Sequence, residues 1–161
     1  MADAYRASDL AAFHAWFYSR PPEPPERWGD TYDRFDPAAL PPCGRRVLEH
    51  PCDLLLKPGH IRHIVRLLLA RGWHPGHVAG LIRSKYERDH GRGAYWYRYD
   101  ATSRAEFYTR LFAGAVFTGR DDLADFTCPA TREKGDCRPD ACAGAVDAMR
   151  RDLLERTTAH V

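Results

Sequence analysis

Cys128, Cys137 and Cys142 fall within fifteen positions near the end of a 161-residue chain, and its other two cysteines, Cys43 and Cys52, lie far upstream. Four chemistries fit such a cluster: a disulfide knot, a metal or cluster site, a reactive thiol, or no shared role. Eight residues separate Cys128 from Cys137 and four separate Cys137 from Cys142. Pro129, Gly135 and Pro139 lie in or beside those gaps, so the segment is expected to bend and not to form a regular helix. Bent polar segments with spaced thiols suit a metal centre, because several sulfurs must converge on one ion or on the corners of a cluster. An odd count of five cysteines disfavours a pure disulfide framework, as does a start that reads as neither a signal peptide nor a presequence. No C-x-x-C redox pair is present, and no cysteine has the local sequence of a familiar catalytic nucleophile. Metal or cluster is the favoured chemistry. The fourth ligand must then come from Cys43 or Cys52.

The second candidate feature is a basic island. Basic residues comprise 21 Arg and 3 Lys, and the net charge is only +2. From Lys57 to Arg110, eleven basic residues face four acidic ones, so the rest of the chain is net acidic. The island also holds His60, His63, His74, His77 and His90. Such a distribution fits a polyanion, and phosphate is the usual one. The bland alternative is a solvated helix face.

Helices must position these groups. Residues 4–19 read as one helix with Leu10, Phe13, Trp16 and Phe17 on one side. "RPPEPPERWGD" stops it and reads as an ordered or extended connector. "PPCGRRVLEH" starts a short helix, and "GHIRHIVRLLLARG" is the clearest one, stopped by Gly72. On it, Arg62 and Arg66 are expected on an outward side with His63 beside them. Pro75 opens "PGHVAGLIRSKYER", whose Val78, Leu81, Ile82 and Tyr86 face inward while Arg83 and Lys85 flank that stripe. "DHGRGAYWYRYD" reads as a loop or strand pair. "TSRAEFYTRLFAGAVFTG" opens with a Ser103–Glu106 capping box and buries Phe107, Leu111, Phe112, Ala115 and Val116. "AVDAMRRDLLER" closes a mostly α-helical domain. No run is long and apolar enough for a membrane span, and the chain reads as soluble and cytoplasmic.

"LPPCGRRVLEH", "HIRHIVRLLLARGWHPGHVAGLIRSKYERD", "WYRY" and "DFTCPATREKGDC", in that order, resemble the C-terminal iron–sulfur domain of the archaeal and eukaryotic DNA primase large subunit. The resemblance covers roughly residues 40–156. It implies a compact helical domain (residues 40–161) closed around an all-cysteine [4Fe–4S] cluster on Cys43, Cys128, Cys137 and Cys142, with zinc as the alternative. Residues 1–39 would be an N-terminal helix and Pro-rich connector. The resemblance further implies binding of a single-stranded DNA template and the 5′ end of an RNA or DNA primer. A separate catalytic primase-polymerase subunit would perform nucleotidyl transfer, so this chain would be an accessory subunit and not an enzyme by itself. The candidate nucleic-acid contacts are His60, Arg62, His63, Arg66, Arg83, Lys85, Arg88, Trp96 and Tyr97. Arginines would chelate phosphate through two donors, lysine would add a point charge and the aromatics would stack on bases. The acidic run at Asp121, Asp122 and Asp125 reads as capping and solvating a loop.

Two other readings fit the residues. The pair of helices around Gly72 also satisfies a helix-turn-helix DNA-binding regulator, with a metal or cluster as its sensor. An electron-transfer protein or cluster enzyme would instead turn the basic island towards an acidic redox partner.

Overall fold

A computed structural model of the chain describes residues 2–49, 53–87, 100–137, 142 and 144–159. Within them the chain is mostly helical, with eight α-helices, four 3-10 turns and no strand. The expected helix over 4–19 is divided into α1 (Ala2–Arg6) and α2 (Asp9–Ser19). Ser8 causes the break: it is extended, at φ −92° and ψ 154°, and its side chain accepts a hydrogen bond from Ala11 N–H to cap α2.

The proline-rich connector is ordered as 3-10 turns at Pro25–Asp30, Tyr32–Arg34 and Pro37–Ala39. Pro25 and Pro37 sit at the starts of two of these turns, where a missing N–H costs nothing. Trp28 and Tyr32 are buried. Trp28 donates from its indole to the Glu23 carbonyl, and the Tyr32 hydroxyl accepts from Glu23 N–H and lies 3.0 Å from His77 Nδ1. Gly80 makes this possible: a Cβ there would fall on the Tyr32 hydroxyl and within 2.7 Å of Pro22 Cβ. Residues 1–39 therefore share one core with the rest, through Phe13, Phe17, Trp28 and Tyr32. The expected boundary at residue 40 does not divide that core.

Next come α3 (Pro42–Glu49), α4 (Pro58–Ala70) and α5 (Pro75–Glu87). Gly72 stops α4 in the left-handed region, φ +84°, where a side chain would be strained. Helix α4 is the centre of the fold and packs on α3, α5, α6 and α8, where α6 is Ala101–Phe117 and α8 is Ala145–Ala159. Every residue from Ile64 to Ala70 is buried, so α4 has no outward side along that length. Helix α5 is enclosed in the same way, with only His77, Arg83 and Lys85 half-buried among the side chains from Pro75 to Tyr86.

Helix α6 differs from its expected orientation. Asp100 is its N-cap, accepting from the Ser103 N–H at 3.0 Å, so Ser103 lies inside the first turn and does not begin a capping box. The buried stripe runs through Ala105, Thr109, Ala113 and Val116, whereas Phe107 and Leu111 are 51% and 50% exposed. Small residues let the helix approach its neighbours closely: a Cβ on Gly114 would lie 3.1 Å from the Phe13 ring. Close backbone approach, and not side-chain hydrophobicity, sets the rotation of this helix.

A candidate cysteine centre and the cleft beside it

Cys43 stands in the first turn of α3, where Gly44 and Arg45 donate their N–H groups to the Pro41 carbonyl. Its side chain is buried. The later cysteines follow a loop that rises to α7 (Cys128–Glu133). Here the expectation of an irregular segment is corrected. Thr127 accepts from Ala130 N–H, and Pro129 sits in the first turn, so the proline starts this helix. Gly135, at φ +78°, ends it, and Asp136 N–H turns back to the Thr131 carbonyl at 3.1 Å. That reversal sets Cys137 on the returning strand of chain. The Cys128 N–H donates to Asp147 Oδ1 at 3.0 Å, tying α7 to the start of α8.

Cys43, Cys128, Cys137 and Cys142 form no disulfide. Burial pushes the Cys43 thiol up to about 12, and repulsion from Cys142, Cys137 and Cys128 adds to the rise. The Cys128 thiol is raised as well, chiefly by burial, with Cys142 again contributing. Residues separated by about half the chain thus lie within each other's electrostatic reach. At neutral pH Cys43 is a protonated, shielded thiol, which is the wrong state for a nucleophile. Among the described residues, no group of three or more His, Cys, Asp or Glu stands as a ready site for a metal ion. Cys52 lies outside the described residues.

Helix α4 brings a histidine to this centre. His63 Nε2 lies 3.2 Å from Cys43 Sγ, a hydrogen bond whose proton belongs to either partner according to the tautomer. The His63 ring meets Phe126 edge-on at 5.9 Å between centroids. Burial lowers the His63 pKa to about 4, so the ring is neutral at pH 7.

Beside it opens a cleft of about 170 Å³ whose lining includes His60, Arg62, His63, Arg66, Lys134 and Asp136. Arg66 does not point outward as expected. It is 3% exposed and grips Asp121 through Nε (3.0 Å to Oδ2) and Nη2 (2.6 Å to Oδ1), with Asp125 Oδ1 a further 2.8 Å from Nη2. The paired fork is the geometry in which arginine binds carboxylate best. Arg62 is half-buried and reaches the same carboxylates, at 3.2 Å from Asp121 and 3.5 Å from Asp125. Lys134 closes the network at 2.9 Å from Asp125. His60 Nε2 pairs with Asp136 Oδ1 at 2.9 Å, while its buried Nδ1 has no hydrogen-bond partner among the described residues.

The acidic run read as loop capping is therefore the counter-charge of the basic helix. Burial works to raise the carboxyls of Asp121 and Asp125. Hydrogen bonds from Arg66 and the Leu123 N–H to Asp121, and from Lys134 and Arg66 to Asp125, outweigh it and hold both below the ordinary carboxylate range. Asp121 also holds Leu123, whose φ of +58° is rare for a branched residue; its N–H donates to Asp121 and its carbonyl accepts from Arg150. The signal was present in "GRDDLAD", two acids four apart, matching the four-residue spacing of Arg62 and Arg66.

The other candidate contacts lie apart from this cleft. Arg83 and Lys85 are half-buried on α5, with the Arg83 guanidinium 5.5 Å from the Trp28 ring. Arg88, Trp96 and Tyr97 lie outside the described residues. Among the described side chains of α5 from Pro75 to Tyr86, only His77, Arg83 and Lys85 reach partial exposure. No helix among the described residues is long and apolar enough to cross a membrane. No protein-family model matches the chain, and neither the curated proteins nor the solved structures include a significant match to it.

Proposed function

We propose that this chain is a primase-large-subunit-like iron–sulfur module that binds a single-stranded template and the 5′ end of a primer, assisting a separate catalytic primase-polymerase. The observation that carries the reading is that Cys43 lies within electrostatic reach of Cys128, Cys137 and Cys142 and 3.2 Å from His63, on the helix that also bears His60, Arg62 and Arg66.

The donor set fits a cluster in its chemistry: four thiols, two of them buried, carried by α3, α7 and the segments that flank α7 and α8. A [4Fe–4S] cluster there would supply a cross-link between the two ends of the domain, and its binding energy would become folding energy. Loading such a cluster would require the Cys43 thiol to lose its proton, so uptake would strengthen as pH rises. His63 Nε2, 3.2 Å from Cys43 Sγ, would then donate to the Cys43 thiolate and help hold α4 against α3.

The cleft supplies the phosphate chemistry. Arg62 and Lys134, at 36% and 56% side-chain exposure, are the lining cations with access to solvent, and His60, paired with Asp136, stands in the wall beside them. Arg66 serves from behind, by fixing the carboxylates that position Arg62. A primer-end phosphate competes with Asp125 for Arg62 and Lys134, which makes binding dependent on salt.

The test is iron and sulfide content of protein purified without oxygen, with fluorescence anisotropy on a primer–template junction bearing a 5′-triphosphate. About four irons per chain, lost in Cys43→Ser, and tighter binding to the triphosphate junction than to a blunt duplex support the reading. One zinc and no iron leaves a zinc-built nucleic-acid module. Neither metal, or no preference for the junction, overturns it.

A further inference from the structure

Five large hydrophobic side chains stand exposed among the described residues: Tyr5, Leu10, Tyr18, Phe107 and Leu111. All five lie on α1, α2 or α6. Phe107 and Leu111 are one helical turn apart on α6, and Leu10 faces them from α2 across a groove of about 340 Å³. The floor is made of small residues, Gly114, Ala115 and Thr118, and cationic Arg110 and Arg120 belong to the same lining, which includes no carboxylate. Arg110 is answered by Glu106 at 3.3 Å, whereas Arg120 is exposed and pairs with no carboxylate among the described residues.

We infer that the groove between α2 and α6 docks an amphipathic helix of a partner protein, one with an apolar face and an acidic flank. An apolar stripe at i, i+4 spacing beside a floor of small side chains is the shape that receives a helix. The lining charge selects the partner's sign. A second copy of this chain presenting the same face would set arginines against arginines, so self-association is disfavoured. The exposed rim is mainly apolar, with Leu10, Phe107 and Leu111, which suits the apolar face of a helix better than a phosphate backbone. The groove shares no lining residue with the cysteine-side cleft, so a protein helix and the ligand of that cleft would occupy different surfaces.

The probe is a fluorescein-labelled peptide of about 18 residues, five helical turns, with leucine on one face and glutamate on the others. A second peptide carries lysine in place of each glutamate. Anisotropy with the full chain should show saturable binding of the glutamate peptide and at least about tenfold weaker binding of the lysine peptide. The Phe107→Ser/Leu111→Ser variant should lose about tenfold or more for the glutamate peptide. Arg120→Glu should bring the two peptides close to parity. All three side chains are exposed, and unchanged thermal melts show that the variants fold. Equal binding of both peptides, no binding, or undiminished binding to the double variant overturns the inference. A concentration-dependent dimer in sedimentation that disappears in Leu111→Ser also overturns it, assigning the face to a second copy.

Discussion

Replacing Arg66 by Met separates a structural from a phosphate-binding arginine. The side chain is buried and makes four close contacts with Asp121 and Asp125. Met keeps most of the volume and removes the charge, leaving Asp121, 4% exposed at its side chain, without its main partner. Breaking a buried pair on one side costs about 3–5 kcal/mol. Arg62 remains 3.2 Å away and the Leu123 N–H 3.0 Å away, so the expected loss is at the lower end, about 3 kcal/mol. For a chain of this length that lowers Tm by about 6–12 °C. Urea unfolding followed by far-ultraviolet circular dichroism, at matched metal content, gives the free energy directly. Adding Asp121→Asn removes the orphaned charge while leaving an acceptor for Leu123, and should restore about 1 kcal/mol or more. A loss below about 1 kcal/mol for Arg66→Met, or no recovery in the double variant, refutes the assignment of Arg66 to the interior network. Weakened nucleic-acid binding with unchanged stability would return Arg66 to a direct phosphate contact.

Three other outcomes follow from the same geometry. Asp121 and Asp125 have depressed carboxyls in the folded state, so their stabilisation is complete above the unfolded value of about 4 and is lost as pH falls through the lower folded values. Thermal melts should show stability falling below about pH 4, with a shallower fall in Asp125→Asn; identical slopes would remove Asp125 from the network. Gly80→Ala should cost about 1–3 kcal/mol by displacing Tyr32 from α5, and Tyr32→Phe should relieve only part of it, since a ring carbon also lies 2.6 Å from the added methyl. A neutral Gly80→Ala would show that the connector is free to move off α5. Phe126→Ala should cost about 3–5 kcal/mol in chemical denaturation, because the ring is 1% exposed and packs against His63 and the Arg66 guanidinium; a cost under about 1 kcal/mol would place its packing elsewhere.

The local pattern determined much of this protein. Apolar spacing and stop residues specified α3, α4, α5 and α8, with Pro75 opening α5 and Gly72 closing α4. The spacing of Cys128, Cys137 and Cys142 marked a cluster while leaving Cys43 and Cys52 both open as its fourth member, and the fold puts Cys43 within electrostatic reach of all three. What local pattern does not encode is which side of an enclosed helix finds a partner. Arg62 and Arg66 read as a solvent-facing pair because arginines are usually exposed, yet Asp121 and Asp125, more than fifty residues later, offered a counter-charge that made burial of Arg66 tolerable. Phe107 and Leu111 read as core because they are large and apolar, yet the small residues of α6 allowed closer packing and turned them outward. Helix boundaries come from neighbours within a few positions, and those the sequence contains. Helix rotation, ion-pair partners and the sharing of one core by residues 1–39 and the rest come from contacts at long separation, which only the folded chain decides.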